Sequence, residues 1–182
     1  GKINISRPVK SLNIILRTCM SVNMLTQSKK RIFEKDKEEY TKRTLISLVN
    51  SIHYAKVFFK DVKFKVHIID HNSSKNQINN IKIILDKSNL NFEILNLKFE
   101  EYSNLIEKIN EEEKEVTNNQ KSNMSNIHQS LILSKEACED LTYFVEDDYI
   151  HEKNSLAEML FAYEKIASLT KKELIICPTD YP

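Results

Sequence analysis

The sequence predicts an α/β fold, a single domain with a mainly parallel sheet and helices on both faces. Two observations carry that expectation. Short apolar runs bounded by polar turns alternate with segments whose apolar residues recur at helical spacing, the rhythm of strands joined by crossover helices. With 182 residues and 41% hydrophobic content, the chain is also long enough to bury one core, at about 100–200 residues per domain.

In chain order, Leu12-Asn13-Ile14-Ile15-Leu16 reads as the first strand. Leu45, Leu48, Val49 and Ile52 form one stripe of a helix over 41–55. A second strand, Phe64 to Ile69, ends in the polar turn Asp70-His71-Asn72-Ser73-Ser74, and Ser74 and Gln77 have capping-box spacing for the helix of Ile78, Ile81, Ile84 and Leu85. The turn lacks glycine, so any left-handed position in it falls to Asn72. Phe92 to Leu95 is a third strand. The Glu-, Lys- and Asn-rich stretch 100–120 reads as a peripheral helix or loop without chemistry. A helix over 123–139, with Ile127, Leu131 and Cys138 as apolar positions, leads to the strand Leu141 to Val145. Ser155 and Glu158 match a second capping box before the stripe Leu156, Met159, Leu160, Tyr163 and Ile166. Glu173 to Cys177 reads as a last strand.

Composition removes several function classes. The 27 basic and 26 acidic residues nearly cancel, so no long-range field gathers nucleic acid. No run approaches the ~18 apolar residues of a membrane span, and no secretion signal is recognisable. Gly1 is the only glycine, which excludes Gly-rich phosphate loops of the P-loop and dinucleotide kinds. Three dispersed cysteines, Cys19, Cys138 and Cys177, offer no zinc knuckle and fit a reducing cytoplasm. The expected location is cytoplasmic, with the membrane periphery as the alternative.

Glu146-Asp147-Asp148 follows directly on a core strand. Ligands of open α/β sheets sit outside the carboxyl ends of the strands, and hard cations such as Mg²⁺ and Mn²⁺ take carboxylate, phosphate and water oxygens. Solvated loop residues, or acids favouring the N-terminus of the next helix, are the plainer reading. His67, His53 and His128 read as partly buried structural histidines, and His151 likewise unless it reaches a metal.

The order of Asn13-Ile14-Ile15-Leu16-Arg17-Thr18, then Ile68-Ile69-Asp70-His71-Asn72-Ser73-Ser74, then Tyr143-Phe144-Val145-Glu146-Asp147-Asp148-Tyr149 resembles the GT-A glycosyltransferases over about residues 12 to 160. The resemblance implies a Rossmann-like domain binding a nucleoside-diphosphate sugar, a UDP-sugar foremost, with transfer to a glycan or lipid-linked acceptor. It implies Mn²⁺ or Mg²⁺ on Asp148 and Glu146, with Glu146 and Asp147 also supporting sugar, ribose or metal-bound water. Asp70 would sit near base or ribose, and Arg17 and Thr18 would border the nucleotide. Asn126 stands roughly where the family has an Asn, although Ser125 replaces the Arg before it. The family's catalytic base usually lies beyond the donor half; Asp180 is the candidate here, a plain turn residue being its other reading. The expectation is therefore the donor-binding half, cut before the acceptor part or completed by another element. A noncatalytic binding domain and a sugar nucleotidyltransferase are the rivals, the latter expected to carry a Gly-rich first loop that this chain lacks.

Overall fold

Ile14, Ile15 and Leu16 put apolar side chains on both faces of one strand, the pattern of a strand covered on both sides. In the computed structural model, which describes residues 4–21, 36–109 and 115–177, that strand is β1 (Ser11–Thr18), with β2 (Lys63–Asp70) on one side and β4 (Leu141–Glu146) on the other. β3 (Asn91–Asn96) pairs with β2. Every pairing is parallel and the order is β3-β2-β1-β4. The crossovers are α1 (Lys37–Phe58), α2 (Lys75–Ser88), then α3 (Phe99–Ser103) and α4 (Asn118–Ala137); α5 (Ser155–Thr170) follows β4. The predicted α/β class is the observed one.

One face of the sheet carries the main core. Leu12, Ile14 and Leu16 of β1, with Phe64, Val66 and Ile68 of β2, meet Leu45, Leu48 and Ile52 of α1, Ile81 and Leu85 of α2, and Leu156 and Leu160 of α5. Burying each such side chain contributes roughly 1.5–3 kcal/mol. α2 starts with the predicted capping box, Ser74 Oγ accepting from Gln77 N–H and the Gln77 side chain accepting from Ser74 N–H. Asn72 holds the left-handed position, at φ 59°.

The opposite face is different in kind. Ile15, Ile69, Leu97 and Tyr102 make a small second core, and beside it Asn13 and His67 are buried. His67 Nδ1 lies 2.5 Å from Glu93 Oε1 and Nε2 lies 2.9 Å from Asn13 Oδ1. Burial pushes the imidazole below its ordinary value in spite of the Glu93 carboxylate. A neutral ring keeps both contacts by donating Nδ1–H to Glu93 and accepting at Nε2 from an Asn13 amide presented NH₂ first.

α4 meets this polar face with a polar face of its own. Its buried residues are Ser122, Ser125, Asn126, Gln129 and Ser130, while Met124, Ile127 and Leu131 are exposed. The expectation that Ile127 and Leu131 anchor this helix is thus reversed, while Cys138 packs on the second core together with Ile132 and Leu133; nearer the start of α4, hydrogen bonds to strand ends do the docking. Asn126 Nδ2 donates to Ile69 O, Gln129 Nε2 donates to Asn96 O, and Gln129 Oε1 accepts from Lys98 N–H.

Two further expectations fail. Ser155 is no cap: Asn154 occupies that position without a side-chain cap bond, and Ser155 Oγ instead contacts Ser51 Oγ at 3.1 Å. Glu173–Cys177 forms no ladder among the described residues, and Ile175 is fully exposed. Arg7 binds both Glu173 and Asp140, which fixes the start of this segment beside the start of β4 without pairing the backbones.

Ser125 Oγ is fully buried with no hydrogen-bond partner among the described residues. Ser125→Ala removes an unsatisfied hydroxyl and adds a better helix former. Stability is expected to rise by about 1 kcal/mol, read as a higher urea midpoint; a fall of that size would show that the hydroxyl has a partner.

Candidate functional site

The register of β1 brings three of the predicted segments to one rim. Thr18 stands opposite Asp70 of β2, and Arg17 stands opposite Glu146 of β4. Strand alternation then sends neighbouring side chains to opposite faces, and that separates the acidic run.

Glu146 turns to the α4 side, where Arg17 Nη2 lies 2.6 Å from its Oε1 and Arg17 Nη1 donates to Asn123 Oδ1 at 2.8 Å. Asp147 turns to the α1 side and is only 5% exposed. Lys37 Nζ lies 3.3 Å from its Oδ1, and Thr41 donates to its Oδ2 at 3.1 Å. Burial pushes this carboxyl above the usual carboxylate value, outweighing the pull of Lys37 and Thr41. Asp148 is exposed, as is Glu146. Among the described residues no group of three or more His, Cys, Asp or Glu converges on one point.

Asp70 is buried and heavily engaged. Its Oδ1 accepts from Thr18 Oγ1 at 2.7 Å and from Ser73 Oγ at 2.5 Å, and its Oδ2 accepts from Ser73 N–H at 3.0 Å. Carboxylate and hydroxyls together hold the turn after β2, so Asp70 shapes the floor of the rim. Asn126 sits below it, with Oδ1 lacking a partner among the described residues. Cys19 lies in the midst of Lys37, Asp70 and Asp147, and burial pushes its thiol up. His151 pairs through Nε2 with the Tyr143 hydroxyl at 3.0 Å, and its backbone N–H donates to Ser47 Oγ. Its structural reading is therefore the observed arrangement. Asp180 lies outside the described residues.

A cavity of about 660 Å³ opens at the β2–β3 end of the same rim, lined by His71, Lys98, Phe99, Asn118, Asn119 and Ser122 among others. Glu100, Glu101, Asn118 and Asn119 of its wall come from 100–120, a stretch read from the sequence as without chemistry. The overlooked signal is Thr117 and Gln120, which form a capping box as Ser74 and Gln77 do. That box starts α4 at the cavity wall.

Asp147 has a testable energetic sign. Its raised folded value means that the fold favours the protonated carboxyl. The contribution is fully present below the unfolded value of 3.8 and is lost as pH rises through the folded one. Asp147→Asn is accordingly expected to melt higher than the parent near neutral pH, with the gap closing toward about pH 4. A lower melting temperature at neutral pH would show that the Lys37 pairing outweighs burial. No protein-family model, no curated protein and no solved structure matches this chain.

Proposed function

We propose that the carboxyl rim binds a nucleoside-diphosphate sugar, a UDP-sugar foremost, as the donor half of a GT-A-type glycosyltransferase acting on a glycan or lipid-linked acceptor. The observation that carries this reading is the register that sets Arg17-Thr18, Asp70 and Glu146 side by side at the ends of adjacent parallel strands, with Asp147-Asp148 in the turn directly after. Ligand sites of open α/β sheets lie at such rims, next to the point where strand order reverses; here β4 follows β3 in sequence but pairs with β1. A carboxylate kept buried at a rim against its own solvation is a further mark of function over stability.

Glu146 and Asp148 carry exposed carboxylates, and one or two such oxygens, completed by phosphate and water, suit Mn²⁺ or Mg²⁺. Bound there, the cation supplies charge neutralisation for a diphosphate leaving group. The chain's own part is positional. Arg17 offers a planar fork of donors to phosphate once it shares or releases Glu146, and Lys37 adds a second cation on the far side of the same strand end. Thr18, Asp70 and Ser73 hold the floor rigid beneath the nucleoside, and Asn126 braces the end of β2 from below by donating to Ile69 O. Asp180 remains the candidate for proton abstraction at the acceptor.

One observation favours the noncatalytic reading: the side-chain cations Arg17 and Lys37 already face Glu146 and Asp147. A nucleotidyltransferase fits less well, since Thr18-Cys19-Met20-Ser21 follows β1 where a Gly-rich loop would be needed. No helix among the described residues is long and apolar enough to cross a membrane. The cytoplasm or its membrane periphery is the proposed location.

Thermal unfolding with UDP, GDP or CMP, each with and without Mn²⁺, separates these readings. One diphosphate at about 100-fold over its Kd is expected to stabilise by ~2.7 kcal/mol, roughly 5–10 °C for a chain of this size. The shift is expected to need Mn²⁺ and to vanish in Asp148→Ala. A shift that ignores both the metal and the substitution supports the binding-domain reading, and no shift with any nucleotide removes the donor site.

A further inference from the structure

The cavity beside α3 and α4 holds a nucleophile and a base in contact. Ser122 Oγ lies 2.5 Å from His71 Nδ1, and both side chains line the cavity wall. Ser122 is 8% exposed, so what reaches it must enter by the cavity. His71 is held from two sides: its backbone N–H donates to Thr18 O at 3.0 Å, and its ring stacks on Phe99 at 4.8 Å and 22°. The neighbouring Asp70 carboxylate is taken up by Thr18 and Ser73. Stacking and the backbone tie therefore orient the imidazole here, in the place of the carboxylate of a triad.

Asn118 and Asn119, the first two residues of α4, line the same cavity. The backbone N–H groups of a first helical turn have no acceptor within their helix, and α4 brings those of Asn118 and Asn119 to the cavity wall one turn before Ser122. Leu97 and Phe99 add apolar wall. A nucleophile and a base in hydrogen-bond contact, beside an apolar wall in one concavity, are the arrangement from which nucleophilic acyl transfer starts.

We propose that Ser122 is a catalytic nucleophile, with His71 as its general base, for carboxylic esters whose acyl group fits this cavity. Ser122 Oγ bonds to the ester carbonyl carbon while its proton passes to His71 Nδ1. The carbonyl–alkoxy bond breaks and the alcohol leaves with that proton, giving acyl-Ser122. Water then adds to the acyl carbon through the same base, and the carboxylic acid departs as Ser122 recovers its proton. His71 is suited to accept: burial lowers it below the ordinary imidazole value, against the pull of Asp70, so the ring is neutral near pH 7. This activity uses none of the side chains assigned to the sugar donor and stands independently of that assignment.

A serine-directed fluorophosphonate, followed by intact mass and peptide mapping on the whole chain, tests it. A single adduct on Ser122 is expected, absent in Ser122→Ala. His71→Gln is expected to slow labelling about a hundredfold, the low end of general-base contributions, and to abolish the fall in rate that the parent shows as pH drops below about 6.5. Ser122→Cys, which keeps a nucleophile in place, should be alkylated by iodoacetamide at position 122 and lose rate in the same way when combined with His71→Gln. Failure of the parent to label at Ser122, or an unchanged rate and pH profile in His71→Gln, would overturn the proposal and leave the contact as a tie between the β2 turn and α4.

Discussion

A parallel strand buried on both faces has little freedom to slide, and the carboxyl rim depends on that restriction in β1. Were β4 displaced by one residue against β1, Val145 would leave the core shared with α1 and α5, and the half-exposed Phe144 side would take its place. Slippage by one position exchanges the faces of a whole strand, so the cost falls on the core. The same register sets Arg17 beside Glu146 and Thr18 beside Asp70. Core packing and rim geometry are therefore one constraint, and the polar residues at the strand ends inherit their positions from Ile14, Ile15 and Leu16 behind them.

The acidic run shows how that constraint handles charge. Two carboxylates 4 Å apart repel by about 4 kcal/mol at an effective dielectric near ~20, which is why three in a row after a core strand point to a compensating cation. Strand alternation reduces the conflict by sending Glu146 and Asp147 to opposite faces, each to its own basic residue. What is left uncompensated is desolvation, concentrated on Asp147. The arrangement leaves Glu146 and Asp148 accessible, and it stations Arg17 and Lys37 where an anionic ligand could draw them away from their partners.

Periodicity in the sequence is a reliable guide wherever burial decides structure, and β1, β2, β4 and the stripes of α1, α2 and α5 follow from it, except that at the end of α5 Ala167 is buried and Ile166 is exposed. It misleads where hydrogen bonding decides. α4 has the apolar spacing of a core helix in Met124, Ile127 and Leu131, yet these are exposed and it docks through Asn126 and Gln129, with Ile132 and Leu133 packing on the second core. The sheet face it covers carries His67, Asn13 and Glu93, which hydrogen-bond to one another within the sheet and make that face polar. A strand reading of Leu174-Ile175-Ile176 fails for a related reason, since its placement is governed by the ionic and hydroxyl contacts of Glu173 with Arg7 and Tyr163. The rim was legible as three short motifs; the cavity was not, because Ser122 lies 51 residues from His71 and stands in no recognisable pattern of its own.

α4 also joins the two halves of the rim. Asn123 holds Arg17 next to the acidic run, Ser122 holds His71 at the cavity, and Asn126 and Gln129 fasten the helix to the ends of β2 and β3. Ser122, Asn126 and Gln129 follow one another along the inward side of a single helix and Asn123 stands exposed at its edge, so a movement of α4 along its axis cannot alter one half and spare the other. Such docking is directional: a hydrogen bond weakens steeply once its angle falls toward about 120°, whereas apolar contact tolerates sliding. The polar face that defeats the periodicity argument therefore gives this helix a defined position, and through it Arg17 and His71 are held in fixed relation to each other.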